Sequence, residues 1–134
     1  MHLEKHEKDI EIEEVATENK IVNEDVINQL RKYGGDDMIT DVMKDFEREA
    51  KEQIEGCILS LKDGNYENIL INLHTLKGNS GTLGLEKISQ LSIDIEAELK
   101  HKKEIYGNLE NQLNQLNVYF EEFKKYYPKI INNN

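Results

Sequence analysis

Apolar side chains recur along this chain at gaps of three and four, the spacing that lines up one face of a helix. The clearest run is Tyr106, Leu109, Leu113, Leu116, Phe120, Phe123 and Tyr127, which reads as a bundle seam rather than a strand. A second stripe joins Met38, Val42, Phe46, Ala50, Ile54, Cys57 and Leu61, with Ile39, Met43 and Ile58 beside it, and predicts a long helix over Asp37–Lys62. Gly64 supplies its stop, and Asn65 can cap a further helix from Tyr66 to about Leu83. Leu85, Ile88, Leu91, Ile95 and Leu99 mark another, with a break or bend expected at Gly84 and a polar stretch from His101 to Lys103 after it. Near the start, Asn23 looks like an N-cap with Glu24 and Asp25 in the first turn, where negative charge suits the helix dipole. That short helix would bury Val26, Ile27 and Leu30 and end at Gly34-Gly35. Long helices with short connections predict an all-α fold, an antiparallel four-helix bundle with the short Asn23–Tyr33 helix as a lid or brace.

Composition narrows the class without changing that picture. At 134 residues the chain suits one domain. Residues 1–20 carry seven acids against three lysines, a net of −4, and their apolar positions are poorly phased. They read as an acidic lead-in or linker, with a short helix over Leu3 to Val15 as the alternative, and residues 21–131 as the folded domain. The formal net charge of −10, with lysines scattered among acids, argues against nucleic acid as a partner. No apolar run approaches the roughly 20 residues that span a bilayer, and the opening residues lack a signal-peptide core. We therefore expect no membrane insertion and a cytoplasmic setting. The single cysteine, Cys57, rules out an internal disulfide and a cysteine-based zinc cluster, and its place on an apolar stripe points to burial.

The chemistry concentrates in the run His74-Thr75-Leu76-Lys77-Gly78-Asn79-Ser80-Gly81-Thr82-Leu83-Gly84. With about 100° per residue and Ile69 at zero, Leu73, Leu76, Ser80 and Leu83 fall within about 40° of the buried direction. His74 lies about 140° away, towards solvent, between Gly78 at about 180° and Gly81 at about 120°. Each interior glycine costs a helix roughly 1 kcal/mol relative to alanine. One reading is that the helix simply stops near Gly78. The other is that a bare surface beside His74 lets another protein approach the imidazole, and the continued helical phase of Leu76, Ser80 and Leu83 favours it. An exposed neutral imidazole is nucleophilic and can attack phosphorus to form a phosphoramidate. Lys77, one turn on, can offset the charge of incoming phosphoryl oxygens. Gly78 to Gly84 is no nucleotide phosphate loop, since no strand precedes it and no Gly-Lys-Ser/Thr follows.

His74-x-Leu76-Lys77-Gly78 followed by Leu83-Gly84 resembles the signature of histidine-containing phosphotransfer (HPt) domains, and Asp63–Ile69 resembles the usual entry to the histidine helix. The similarity extends over roughly residues 24–127. It implies a relay that accepts a phosphoryl group on His74 from a phospho-aspartyl receiver domain, of a response regulator or hybrid histidine kinase, and passes it to another. It further implies no bound cofactor or metal here, Mg²⁺ being brought by the receiver, no kinase activity of its own, and a monomer. In that family a Gln or Glu on the next helix holds the second ring nitrogen, and Glu96 is the matching position by spacing. Its other reading is a solvated acid between Asp94 and Glu98. Many members have a small hydroxyl residue where this chain has Asn79, whose amide can still donate to a phosphoryl oxygen. Docking would use Leu70, Ile71, Gly78, Asn79 and Gly81 around His74. His2, His6 and His101 read as surface residues. The competing hypothesis is a helical-bundle interaction module without phosphotransfer, for which His74 would be dispensable.

Overall fold

The computed structural model describes residues 20–131, which form four helices: α1 Glu24–Lys62, α2 Tyr66–Thr82, α3 Glu86–Lys102 and α4 Leu109–Ile131. The expected acidic lead-in, and the alternative helix over Leu3 to Val15, lie outside the described residues. Three short connections reverse the chain each time, and the packed pairs are α1 with α2, α2 with α3, α3 with α4 and α4 with α1. Diagonal pairs do not pack among the described residues, so the helices stand at the corners of a square antiparallel bundle.

Local sequence explains where the helices begin and end. Asn23 and Asn65 cap α1 and α2, their side-chain oxygens accepting from the backbone N–H of Asp25 and Asn68 at 3.0 Å each. The short first helix expected to stop at Gly34-Gly35 is instead the opening stretch of α1, which breaks at Gly35 (φ 75°, ψ −173°) and resumes at once. The break is a sharp bend. Neighbouring Tyr126 and Tyr127 of α4 donate their hydroxyls to Glu24 and Glu47, two acids that a straight helix would hold about 34 Å apart. The bend also brings Val26 against Gly84, whose φ is 74° and where a Cβ would come within 2.8 Å of Val26 Cβ. Asn23 N–H donates to the Gly84 carbonyl at 2.9 Å, tying the α2–α3 turn to the start of α1. Position 84, just past the end of α2, therefore requires glycine for two reasons, a left-handed backbone and a contact too close for any side chain.

The core runs the length of the bundle. Ile39, Met43, Phe46, Ala50, Ile54 and Cys57 of α1 meet Ile69, Leu73 and Leu76 of α2, Ile88, Ile95 and Leu99 of α3, and Leu113, Leu116, Phe120 and Phe123 of α4. Phe123 is its aromatic hub, edge-on to Phe46 and stacked on Tyr127. Two details of the apolar pattern shift. The stripe after Gly35 starts on Ile39 and Met43, with Met38 and Val42 only partly covered, because repeated gaps of four drift about 40° each around a helix and carry a stripe read back from Phe46 off the buried face; at its far end Ser60 is buried and Leu61 is not fully so. Tyr106 lies outside α4, in the connection, where its hydroxyl donates to Gln112 at 2.6 Å.

Candidate functional site

α2 and α3 run antiparallel, with Gly81 beside Ser89 and His74 beside Glu96. This register follows from the turn at Leu83-Gly84-Leu85 and from the apolar faces of both helices. On α2, Leu73 and Leu76 point inward, which leaves His74 outward, its side chain 68% exposed. On α3, Glu96 directly follows the buried Ile95 and precedes Leu99 by three, so it sits at the edge of the buried stripe, its side chain only 5% exposed.

Three nitrogen donors converge on that carboxylate. His74 Nδ1 lies 3.1 Å from Oε2, Lys77 Nζ 2.7 Å from Oε1, and Lys100 Nζ 3.3 Å from Oε2. Burial alone would push the Glu96 carboxyl up, but hydrogen bonds from Lys77, His74 and Lys100, together with the Lys77 charge, hold it below the ordinary carboxylate range. Glu96 is therefore ionised at neutral pH and can only accept. It follows that His74 carries its proton on Nδ1, donates it to Glu96, and leaves the Nε2 lone pair facing solvent. A nucleophile of fixed tautomer on an open surface is what attack on an electrophile brought by another protein requires. The carboxylate also offsets the positive charge that the ring gains once Nε2 forms a bond. Glu96 is poorly suited to a divalent cation, since both its oxygens are already engaged by cationic donors.

The structure thus brings together His74, Lys77 and Glu96. Glu96 is not the solvated acid of the alternative reading. Lys77 is half-buried and ion-paired, its charge directed onto Glu96. Lys100 was not singled out by sequence reasoning. Its signal was present in the Glu96–Lys100 spacing of four, the orientation that favours an ion pair on a helix.

The glycine-bearing end of α2 stays helical through Thr82. Hydroxyls cover its carbonyls: Ser80 donates to Leu76 at 2.6 Å, Ser89 of α3 to Lys77 at 3.2 Å, and Thr82 to Gly78 at 3.0 Å. Gly78 and Gly81 are exposed. A Cβ at Gly78 would meet nothing within 4 Å, and one at Gly81 only Ser89 Oγ at 3.3 Å. Gly78 is therefore not demanded by packing among the described residues. Ile71, one turn before His74, is 65% exposed. Two expected docking residues are placed differently. Leu70 is partly buried against the core, being about 100° from Ile69 and towards α3. Asn79 lies about 140° round the helix from His74 and lines a cleft of about 260 Å³ against α1, with Val42, Asp45, Phe46, Glu49, Thr82 and Leu83. Asn79 therefore stands on the flank of the site.

A family model for the Hpt domain matches residues 41–123. Among solved structures, the chain is similar to histidine-containing phosphotransfer protein B (HptB) from Pseudomonas aeruginosa PAO1, with a TM-score of 0.78 at 13% identity, over 87% of this chain and 98% of that one. It is also similar to the HPT domain of the Hpt sensor hybrid histidine kinase from Shewanella, with a TM-score of 0.71 at 18% identity, over 85% and 96% of the two chains. At these identities the likeness is one of fold. No curated protein sequence matches the chain.

Proposed function

Because the chain belongs to the Hpt domain family, whose members are phosphotransfer carriers in two-component phosphorelays, we propose that His74 is the residue on which it carries the phosphoryl group. The observation that supports this is the exposed His74 ring whose Nδ1–H is held by the buried Glu96, leaving Nε2 open to solvent. In the forward step the Nε2 lone pair forms the P–N bond as the P–O bond to the partner's aspartyl carboxylate breaks. The bonding pair leaves with that carboxylate, and Nδ1 keeps its proton on Glu96. Passing the group to a second receiver reverses these movements.

The partner is a receiver domain of a response regulator or hybrid histidine kinase. It brings the Mg²⁺ and the groups that activate phosphorus, so this chain holds no cofactor of its own. Lys77 serves the site by keeping Glu96 ionised and by lending positive potential beside the ring. Ile71, Gly78 and Gly81 form the surface the receiver meets, with Leu70 and Asn79 at its margins. The domain acts as a monomer in the cytoplasm; none of the helices among the described residues is long and apolar enough to cross a membrane.

The test is transfer of ³²P from receiver domains phosphorylated on aspartate, run against several receivers. Acid-labile label is expected on the wild-type chain and none on His74→Gln. Equal labelling of that variant would overturn the assignment, and phosphorylation by ATP with no receiver or kinase present would overturn the reading of the chain as a passive carrier. Labelling by none of the receivers would favour the interaction module without phosphotransfer.

A further inference from the structure

Glu96 Oε2 is shared. It accepts from His74 Nδ1 at 3.1 Å and from Lys100 Nζ at 3.3 Å, whereas Lys77 takes the other oxygen. We propose that Lys100 is a positioning residue that divides Glu96 Oε2 with the His74 ring and thereby sets how long His74 retains a phosphoryl group. The inference rests on His74 being the phosphoryl carrier and adds a determinant of its lifetime.

The proton on Nδ1 governs how easily the phosphoryl group is lost. When water attacks the phosphorus of an Nε2-phosphorylated ring, a P–O bond forms and the P–Nε2 bond breaks, its electron pair returning to Nε2. The water proton passes to solvent, and the products are inorganic phosphate and imidazole. If Nδ1 is protonated the leaving group is neutral imidazole; if it is not, the leaving group is the far poorer imidazolate. Loss therefore speeds up as pH falls through the titration of the phosphorylated ring. Among the described residues, the charged groups set against the ring are Glu96 and Lys100 from α3 and Lys77 from α2 itself. The carboxylate favours the protonated ring, and the two cations oppose it. Lys77 is bound to the far oxygen, so Lys100 is the cation that competes with Nδ1–H for the same lone pairs. Lys100 is 61% exposed and can withdraw into solvent, unlike the half-buried Lys77. Its contribution is thus a modest and salt-sensitive bias.

The experiment uses the whole chain phosphorylated with phosphoramidate, so no receiver is needed. Loss of the ³¹P phosphohistidine resonance is followed from pH 5 to 9 in wild type, Lys100→Met, Lys100→Arg and His74→Gln. Lys100→Met is expected to move the midpoint of the loss profile up by about half a pH unit at low salt, roughly a threefold faster loss at fixed pH on the descending limb. Lys100→Arg should restore the wild-type midpoint, and the difference should shrink at about 1 M salt. A merely structural role for Lys100 would leave the midpoint fixed. Identical profiles in wild type and Lys100→Met overturn the proposal while leaving His74 as the carrier. A wild-type chain that gains no phosphohistidine signal, or gains the same signal in His74→Gln, overturns the carrier assignment and this inference with it.

Discussion

Gly78→Ala is the substitution that best separates what the fold needs from what a partner needs. Gly78 sits within α2, is exposed, and would present a Cβ to open space. Alanine there should gain the difference in helix propensity, about 1 kcal/mol. For a domain of this size that corresponds to a rise in Tm of about 3–5 °C. The added methyl stands one turn beyond His74, so the stabilised protein should also be the poorer phosphoryl acceptor. Gly78→Leu should lower the second-order transfer rate by about tenfold or more, since a small misplacement of reacting atoms has a large effect. Two neighbouring glycines act as internal standards. At Gly81 the new methyl meets Ser89 Oγ at 3.3 Å, so the propensity gain should be largely offset. At Gly84, φ is 74° and Val26 Cβ lies within 2.8 Å of the new atom, so alanine should destabilise by at least about 2 kcal/mol. Thermal and urea unfolding followed by circular dichroism give the stabilities, and ³²P transfer from a phosphorylated receiver gives the rates. If Gly78→Ala unfolds at a lower temperature than wild type, the packing argument is wrong. If Gly78→Leu transfers at the wild-type rate, the glycine does not serve approach of the partner.

Glu96→Gln should leave the His74 ring with both tautomers populated, read as a shift of the ¹⁵N resonances of Nδ1 and Nε2, and should slow transfer. The same variant should flatten acid sensitivity. A carboxyl held low in the folded state contributes stability present above its unfolded value and lost as pH falls through the folded one. Urea midpoints of wild type and variant should therefore converge as pH drops from about 4.3 towards 2. Cys57, wholly buried with its thiol pushed up to about 12 by desolvation, should resist thiol reagents at pH 8 until the protein opens; labelling at the rate of a free thiol in native buffer would refute its burial. Tyr127→Phe removes the hydroxyl that donates to Glu47 at 2.5 Å and should cost about 1–2 kcal/mol in urea unfolding, with no change in transfer to His74.

How far the sequence disclosed all this depends on the kind of information involved. The helices were legible because a one-sided apolar stripe at gaps of three and four has one solution, and the caps at Asn23 and Asn65 fix two starting points. His74 was legible because helical phase alone turns it outward once Leu73 and Leu76 are inside. The bend at Gly35 was half legible. A glycine pair marks an interruption, but only tertiary contacts of Tyr126 and Tyr127 with Glu24 and Glu47 decide that the helix folds back and continues. The flanking places of Leu70 and Asn79 were not legible for one reason: a single-helix wheel separates inside from outside but does not say which flank faces α1 and which faces α3. Glu96 raised the same difficulty from the other direction. The α3 stripe places it at the edge of the buried face, but its meeting with His74 and Lys77 depends on the register between α2 and α3, which no pattern within α3 reveals.

That register also explains why an acidic chain can present a site suited to phosphate. The formal net charge is −10, and an anionic phosphoryl group approaching the average surface would be repelled. At the α2–α3 seam the balance is reversed locally: one buried carboxylate faces the two cations Lys77 and Lys100. A buried carboxylate alone would be unfavourable, and two lysines alone would repel each other and any positive charge developing on the ring. Placed together they hold one another in position, fix the proton of His74 on Nδ1, and leave a small positive excess beside Nε2. The arrangement requires that Glu96 stay at its depth while its partners reach it from two helices. The continuous core on either side, with Leu73 and Leu76 packed beside Ile95 and Leu99, provides that rigidity. Loosening the core under the seam should therefore impair phosphotransfer before it unfolds the bundle, because the site depends on distances of about 3 Å across two helices and the fold does not.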